Sequence, residues 1–140
     1  MKIGIDIRCL IGGNRTGVEE YTVELLEHLF ATDRENEYVL FWNAWKLPSC
    51  PFGWDRRFPN VRLVSFRIPN KLLNFCFWYF RFPHLDRLIG GVDVFFMPNL
   101  NFGAFSRSVR VVLASHDLSF DRYAETFSWK RRLWHLFVNF

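Results

Sequence analysis

Three glycines, Gly12, Gly13 and Gly17, flank Asn14-Arg15-Thr16 directly behind the alternating segment Ile3-Gly4-Ile5-Asp6-Ile7. Glycines at a strand-to-helix turn let phosphate oxygens approach backbone N–H groups, and the start of the helix adds a partial positive charge. Arg15 and Thr16 contribute a cation and a hydroxyl to the same turn. A dinucleotide fingerprint, Gly-x-Gly-x-x-Gly, fails at its middle glycine, which is Asn14 here. A P-loop fails too, because Val18-Glu19 stands where Lys and a hydroxyl residue must follow Gly17. NTP hydrolysis is therefore not expected. Contact with a diphosphate and a plain tight turn are both compatible with these residues.

His116-Asp117 is the second candidate. The pair closes an apolar segment, where a polar side chain would point into a crevice at the strand's end. An imidazole titrates near neutrality, so it can donate, accept or hydrogen-bond a sugar hydroxyl. The alternative is a histidine satisfied by backbone, with Asp117 capping the next turn. His28, His84 and His135 are isolated and form no HxH or His-x-x-x-His pattern, so no metal site is expected. Gly-x-Ser-x-Gly is absent, which removes the hydrolase elbow. Glu19 and Glu27 read as a solvated helix face. Cys9, Cys50 and Cys76 are odd in number and widely spaced, which argues for reduced thiols over disulfides or zinc.

The elements that must position these groups follow from periodicity. Residues 2–7 alternate as a strand. Residues 8–16 read as a loop. Val18, Tyr21, Leu25, Leu26, Leu29 and Phe30 share one helical face, predicting a helix over 17–31 with Thr16 and Glu19 as a capping box. Residues 38–42 and 61–66 read as strands, separated by a Pro-containing loop over 43–60. Residues 72–80 are apolar on all sides and predict a helix stopped near Pro83; the run would suit dipping into a membrane surface, but core packing is the preferred reading. A further helical turn over 84–89 ends at Gly90-Gly91. Strands are predicted at 92–97 and 109–114, with a loop at 99–108. Residues 128–140 form an amphipathic pattern, with Trp129, Leu133, Leu136, Phe137 and Phe140 on one stripe and Lys130-Arg131-Arg132 off it. That basic cluster suits either anionic lipid headgroups or a solvated face. No helix stop follows it, so the chain is expected to end in mid-structure. The order of elements predicts an α/β, Rossmann-like three-layer domain with a mostly parallel sheet, whose ligands bind beyond the carboxyl ends of the strands.

Composition narrows the classes. The chain has 140 residues, half of them hydrophobic and 23% charged, which excludes intrinsic disorder and fits one domain. Aromatics reach 19%, so either the core is unusually aromatic or some of this surface meets a second domain, a partner or lipid. The net charge of +4 permits attraction to phosphates or anionic lipid. No RNP-type aromatic strand is present, and nucleic acid is not an expected partner. Asp6 and Arg8 interrupt any signal-peptide run, and residues 72–80 fall short of the about 20 residues a membrane span needs. The expectation is a cytoplasmic, soluble protein with scope for peripheral contact at the inner face of the membrane.

Several segments together resemble a known family. Ile3-Gly4-Ile5-Asp6, then Arg15-Thr16-Gly17-Val18-Glu19-Glu20-Tyr21-Thr22 and Glu24-Leu25-Leu26, resemble the opening of family 4 glycosyltransferases. Asp93-Val94-Phe95-Phe96-Met97-Pro98-Asn99 and Ser115-His116-Asp117-Leu118-Ser119-Phe120 resemble later segments of that family, in the same order. The resemblance implies the N-terminal, acceptor-side domain of a GT-B enzyme over residues 1–140, with a C-terminal donor-binding domain as its missing partner. It implies a retaining, metal-independent transfer from a nucleotide sugar to a glycan or glycolipid acceptor, with no cofactor beyond the donor substrate. His116 and Asp117 would then lie at the reaction centre. Gly12, Gly13, Arg15, Thr16 and Gly17 would lie against the donor diphosphate, and Asn99 and Asn101 on the acceptor side. Two positions depart from the family pattern: Phe96 where many relatives carry His, and Glu19 where Gly often follows the Thr-Gly-Val. The alternative is a non-catalytic Rossmann-like module that binds a nucleotide or a protein partner.

Overall fold

A computed structural model describes residues 1–12, 17–45, 50 and 52–116. The predicted helix over 128–140, Thr16 of the capping box, and Gly13, Arg15 and Asp117 lie outside the described residues.

Five strands form one all-parallel sheet in the order β3-β2-β1-β4-β5. They are β1 (Lys2–Asp6), β2 (Glu37–Asn43), β3 (Val61–Phe66), β4 (Val94–Met97) and β5 (Arg110–Leu113). The helices are α1 (Gly17–Thr32), α2 (Trp54–Arg57), α3 (Asn70–Phe80) and α4 (Leu85–Leu88). The chain is α/β, with helices on both faces of a parallel sheet, as a Rossmann-like three-layer domain requires.

The alternation of side chains along β2 shows how the layers arise. Tyr38, Leu40 and Trp42 enter one buried cluster with Val23, Leu26 and Phe30 of α1 and Trp54 of α2. Val39 and Phe41 enter the other cluster with Leu73 and Phe77 of α3, Leu85 of α4, and Phe95 and Met97 of β4. A strand with apolar residues of both parities is what a sheet covered on both faces needs. In β1, Ile5 and Ile7 join the α1 side, while Gly4 faces the α4 side. A Cβ on Gly4 would meet Ile89 Cδ1 and Phe95 Cδ2 at 2.7 Å each, so only a residue without a side chain lets Ile89 and Phe95 pack over the central strand.

Three local readings change. Residues 8–12 are not open loop but a 3-10 turn, Arg8–Gly12, held on the strand by Leu10 N–H donating to Ile7 O. The loop over 43–60 contains α2, whose Trp54 is buried against Phe30 and Phe52. The buried stripe of α1 is Thr22, Val23, Leu26 and Phe30, rotated from the predicted one, and Tyr21 is exposed. Thr22 can be buried because its hydroxyl donates to Val18 O at 2.7 Å, leaving no unsatisfied group.

Glu27 is not a merely solvated residue either. Its carboxylate accepts from Trp54 Nε1 at 3.2 Å and from Arg57 Nη1 at 2.9 Å, clamping α2 to α1. α3 stops where Arg81 adopts φ 48°, followed by Pro83. Among the described residues, no helix is long and apolar enough to cross a membrane.

Candidate functional site

The sheet order reverses at β1: β2 and β3 lie on one side, β4 and β5 on the other. In parallel α/β sheets the crevice opens at that reversal, beyond the strands' carboxyl ends. Three segments leave those ends side by side. The 3-10 turn follows β1, Pro98-Asn99-Leu100-Asn101 follows β4, and Ser115-His116 follows β5.

His116 bridges two of these neighbours. Its Nε2 lies 2.7 Å from Pro98 O, and its ring stands edge-on to Tyr21 with centroids 4.9 Å apart. Tyr21 is one helical turn beyond Gly17, so the imidazole and the start of α1 lie at the same end of the sheet. A carbonyl carries no proton, so Nε2 must be the donor to Pro98. In the neutral ring that leaves Nδ1 as the acceptor. His116 is exposed, so Nδ1 can receive a proton or a hydroxyl from a bound molecule. The edge-on ring of Tyr21 limits how the imidazole can turn.

Gly17 opens α1 and Gly12 closes the 3-10 turn; both are exposed. A Cβ built at either position meets nothing within 4 Å. Packing within the described structure therefore does not demand glycine at these two sites, in contrast to Gly4. Asn99 directly follows the carbonyl that His116 engages. Asn101 Oδ1 accepts from Phe102 N–H at 2.9 Å, so that oxygen shapes its own loop.

A buried ion pair forms the floor of the crevice, and the sequence reading did not single it out. Arg8 Nη2 sits 2.7 Å from Asp6 Oδ2, and the two side chains are 5% and 3% exposed. Arg8 Nε donates to both carboxylate oxygens at 2.9 and 3.1 Å, and Arg8 N–H donates to Asp6 Oδ1 at 3.0 Å. Arg8 Nη2 also donates to Phe102 O at 2.6 Å, tying the end of β1 to the loop after β4. Phe41 and Phe77 lie against the guanidinium at 5.2 and 5.7 Å. The Asp-x-Arg spacing at the end of an apolar strand is the sequence's trace of the pair, but spacing alone does not say that it is buried.

The same loop is held further along. Leu85 N–H donates to Ala104 O at 2.8 Å, and Asp86 accepts from Ser106 N–H at 2.9 Å and from its hydroxyl at 2.5 Å. Beside it, Phe77, Trp78, Arg81, Phe102 and Gly103 line an open cavity of about 210 Å³.

Thiol chemistry is disfavoured here. Cys9 lies in the 3-10 turn, and burial, reinforced by the Asp6 carboxylate, pushes its thiol up to about 11. It is therefore protonated at neutral pH and a weak nucleophile. Cys50 is pushed up as well, again chiefly by burial. Among the described residues, no group of three or more His, Cys, Asp or Glu side chains could hold a metal ion.

Fold and crevice together define a doubly wound α/β domain with a polar site at its topological switch point. No family model, curated protein or solved structure matches the chain.

Proposed function

We propose that this chain is the acceptor-side domain of a cytoplasmic, retaining glycosyltransferase that uses a nucleotide sugar. The observation that carries the reading is the contact of His116 with Tyr21 and Pro98, which sets an imidazole with an available Nδ1 beside the start of α1. An activated saccharide lying across that opening would rest its diphosphate near Gly12 and Gly17, where small residues and the start of α1 favour an anion. Its transferred sugar would reach His116. In a front-face transfer the leaving phosphate accepts the acceptor's proton, so the imidazole orients and stabilises and is not an obligatory base. The resemblance to family 4 glycosyltransferases supports the same arrangement, and it assigns most of the donor site to a second domain.

The test is turnover of nucleotide sugars by the intact gene product, comparing wild type with Gly17→Val and His116→Ala. Because a Cβ at Gly17 meets nothing, the valine variant should fold like wild type. The expectation is loss of nucleotide release by Gly17→Val, with circular dichroism unchanged. Full activity in the valine variant would remove Gly17 from the donor site, and nucleotide binding without transfer in wild type would favour a binding module instead.

A further inference from the structure

α3 has two apolar faces, and the sheet covers only one. Leu73 and Phe77 are 2% and 4% exposed against the core, but Leu72, Phe75, Trp78, Tyr79, Phe80 and, just beyond, Phe82 are 40–69% exposed. A surface this rich in contiguous large apolar side chains marks a binding face. Phe75 packs on Tyr79 at 4.6 Å and on Phe80 at 6.1 Å, so the rings form one continuous patch.

The chain segment that carries the patch has basic residues and no acidic one. Between Arg56 and Leu85 the sequence holds six basic residues, Arg56, Arg57, Arg62, Arg67, Lys71 and Arg81, and no Asp or Glu. Arg67, Lys71 and Arg81 are exposed at or next to the two ends of α3, and none ion-pairs among the described residues.

We infer that α3 lies in the surface of an anionic bilayer, with Leu72, Phe75, Tyr79, Phe80 and Phe82 among the acyl chains and Arg67, Lys71 and Arg81 against the headgroup phosphates. The length suits this role: 11 residues make a helix of about 16 Å, which can rest in an interface but not cross it. Trp78 and Tyr79 have the amphipathic rings that settle at headgroup depth. A second copy fits less well, because a two-fold contact through this face would bring both sets of cations together, and the segment itself carries no acidic side chain to meet them. The docking stands apart from the transferase reading and does not depend on it.

The experiment is co-sedimentation of the intact gene product with phosphatidylcholine vesicles, with and without phosphatidylglycerol, at low and high salt. Wild type should pellet with the anionic vesicles and be released in part by salt. Arg67→Gln, Lys71→Gln and Arg81→Asn together should weaken that binding roughly hundredfold, at about fivefold per charge. Asn tolerates the left-handed backbone at position 81. Phe75→Ser with Tyr79→Ser should abolish binding at either salt concentration, and both positions are exposed enough for the fold to survive. Equal recovery with neutral and anionic vesicles, unchanged binding by either variant, or a dimer in light scattering that the serine variant dissolves would overturn the inference. Nucleotide-sugar turnover, measured without vesicles on soluble acceptor, reports separately on the transferase reading.

Discussion

Replacing Arg8 with Met tests whether the floor of the crevice is held by charge. The substitution keeps most of the aliphatic volume between Phe41 and Phe77 but removes the two nitrogens that contact Asp6. It also removes the donor to Phe102 O. Taking one partner from a buried pair costs about 3–5 kcal/mol, because the remaining charge is left uncompensated. The backbone N–H of residue 8 still reaches Asp6 Oδ1 at 3.0 Å, which places the expected loss near the lower end, about 3 kcal/mol. In a domain of this size that is a fall in Tm of roughly 10 °C and a large part of a total stability of about 5–15 kcal/mol. The assay is urea unfolding followed by circular dichroism, with the slope m checked for constancy. Asp6→Asn combined with Arg8→Met should recover part of the loss, because no charge is then stranded, and the double-mutant cycle should show coupling above about 1 kcal/mol. Limited proteolysis should also cut Arg8→Met faster within residues 98–106. A loss under about 1 kcal/mol, the range of an exposed pair, would mean that water reaches these groups and that the floor is not closed.

Three further outcomes follow from the packing and titration of particular groups. Gly4→Ala should cost about 1–3 kcal/mol in urea unfolding, because its Cβ would overlap Ile89 and Phe95 at 2.7 Å; an unchanged midpoint would show slack between β1 and α4. Tyr38→Phe removes the phenol that donates to Asp33 and is the largest cause holding that carboxyl well below its usual range. A carboxyl depressed in the fold stabilises above its unfolded value of about 4 and loses that contribution as pH falls, so the gap between wild type and variant should narrow from about pH 6 to about pH 2. A gap that stays constant over that range would refute the assignment. Cys9, with its thiol pushed up to about 11, should resist iodoacetamide at neutral pH in the folded chain and react freely in urea; rapid labelling in the fold, read by peptide mass, would contradict its burial.

The elements were legible where one periodicity dominated. The β-branched alternation of Ile3, Ile5 and Ile7 marked the central strand, and residues 61–66 were bounded correctly because a loop signal stands at each side. Reading failed where tertiary contacts override local pattern. α2 is only four residues long and exists because Trp54 is buried beside Phe30, with Glu27 accepting from its indole; none of that is local in sequence. The buried face of α1 is rotated from the one its apolar pattern predicts because Tyr21 carries a ring that stays exposed, whereas Thr22 carries a hydroxyl that the helix itself satisfies through Val18 O. In α3, apolarity on every side fits both core packing and a membrane-facing surface, so the sequence favours core, whereas two of its eleven residues are buried and the opposite face is open. At the site, the position of His116 just beyond a strand's carboxyl end was legible from the apolar run before it. The Asp6–Arg8 pair was not, because a two-residue spacing of opposite charges within an apolar context looks the same whether it is buried or frayed into water.

The parity of β1 decides what the crevice can bind. Ile5 and Ile7 turn to the α1 face, so Gly4 and Asp6 turn to the other, and Asp6 meets Arg8 above Phe41 and Phe77. A carboxylate at the end of the first strand of a parallel sheet is well placed to accept from a ligand's hydroxyl. Here both of its oxygens are already engaged by Arg8, and the guanidinium spends its remaining reach on Phe102 O. A molecule entering at the switch point therefore finds a closed polar floor and must take its contacts from the rim: the first turn of α1, the loop carrying Asn99, and His116. If ligand selection resides on that rim, Asp6→Asn should alter stability far more than the affinity for a ligand bound there. His116→Ala should do the reverse, because an exposed imidazole with one bond to Pro98 O contributes little to the core.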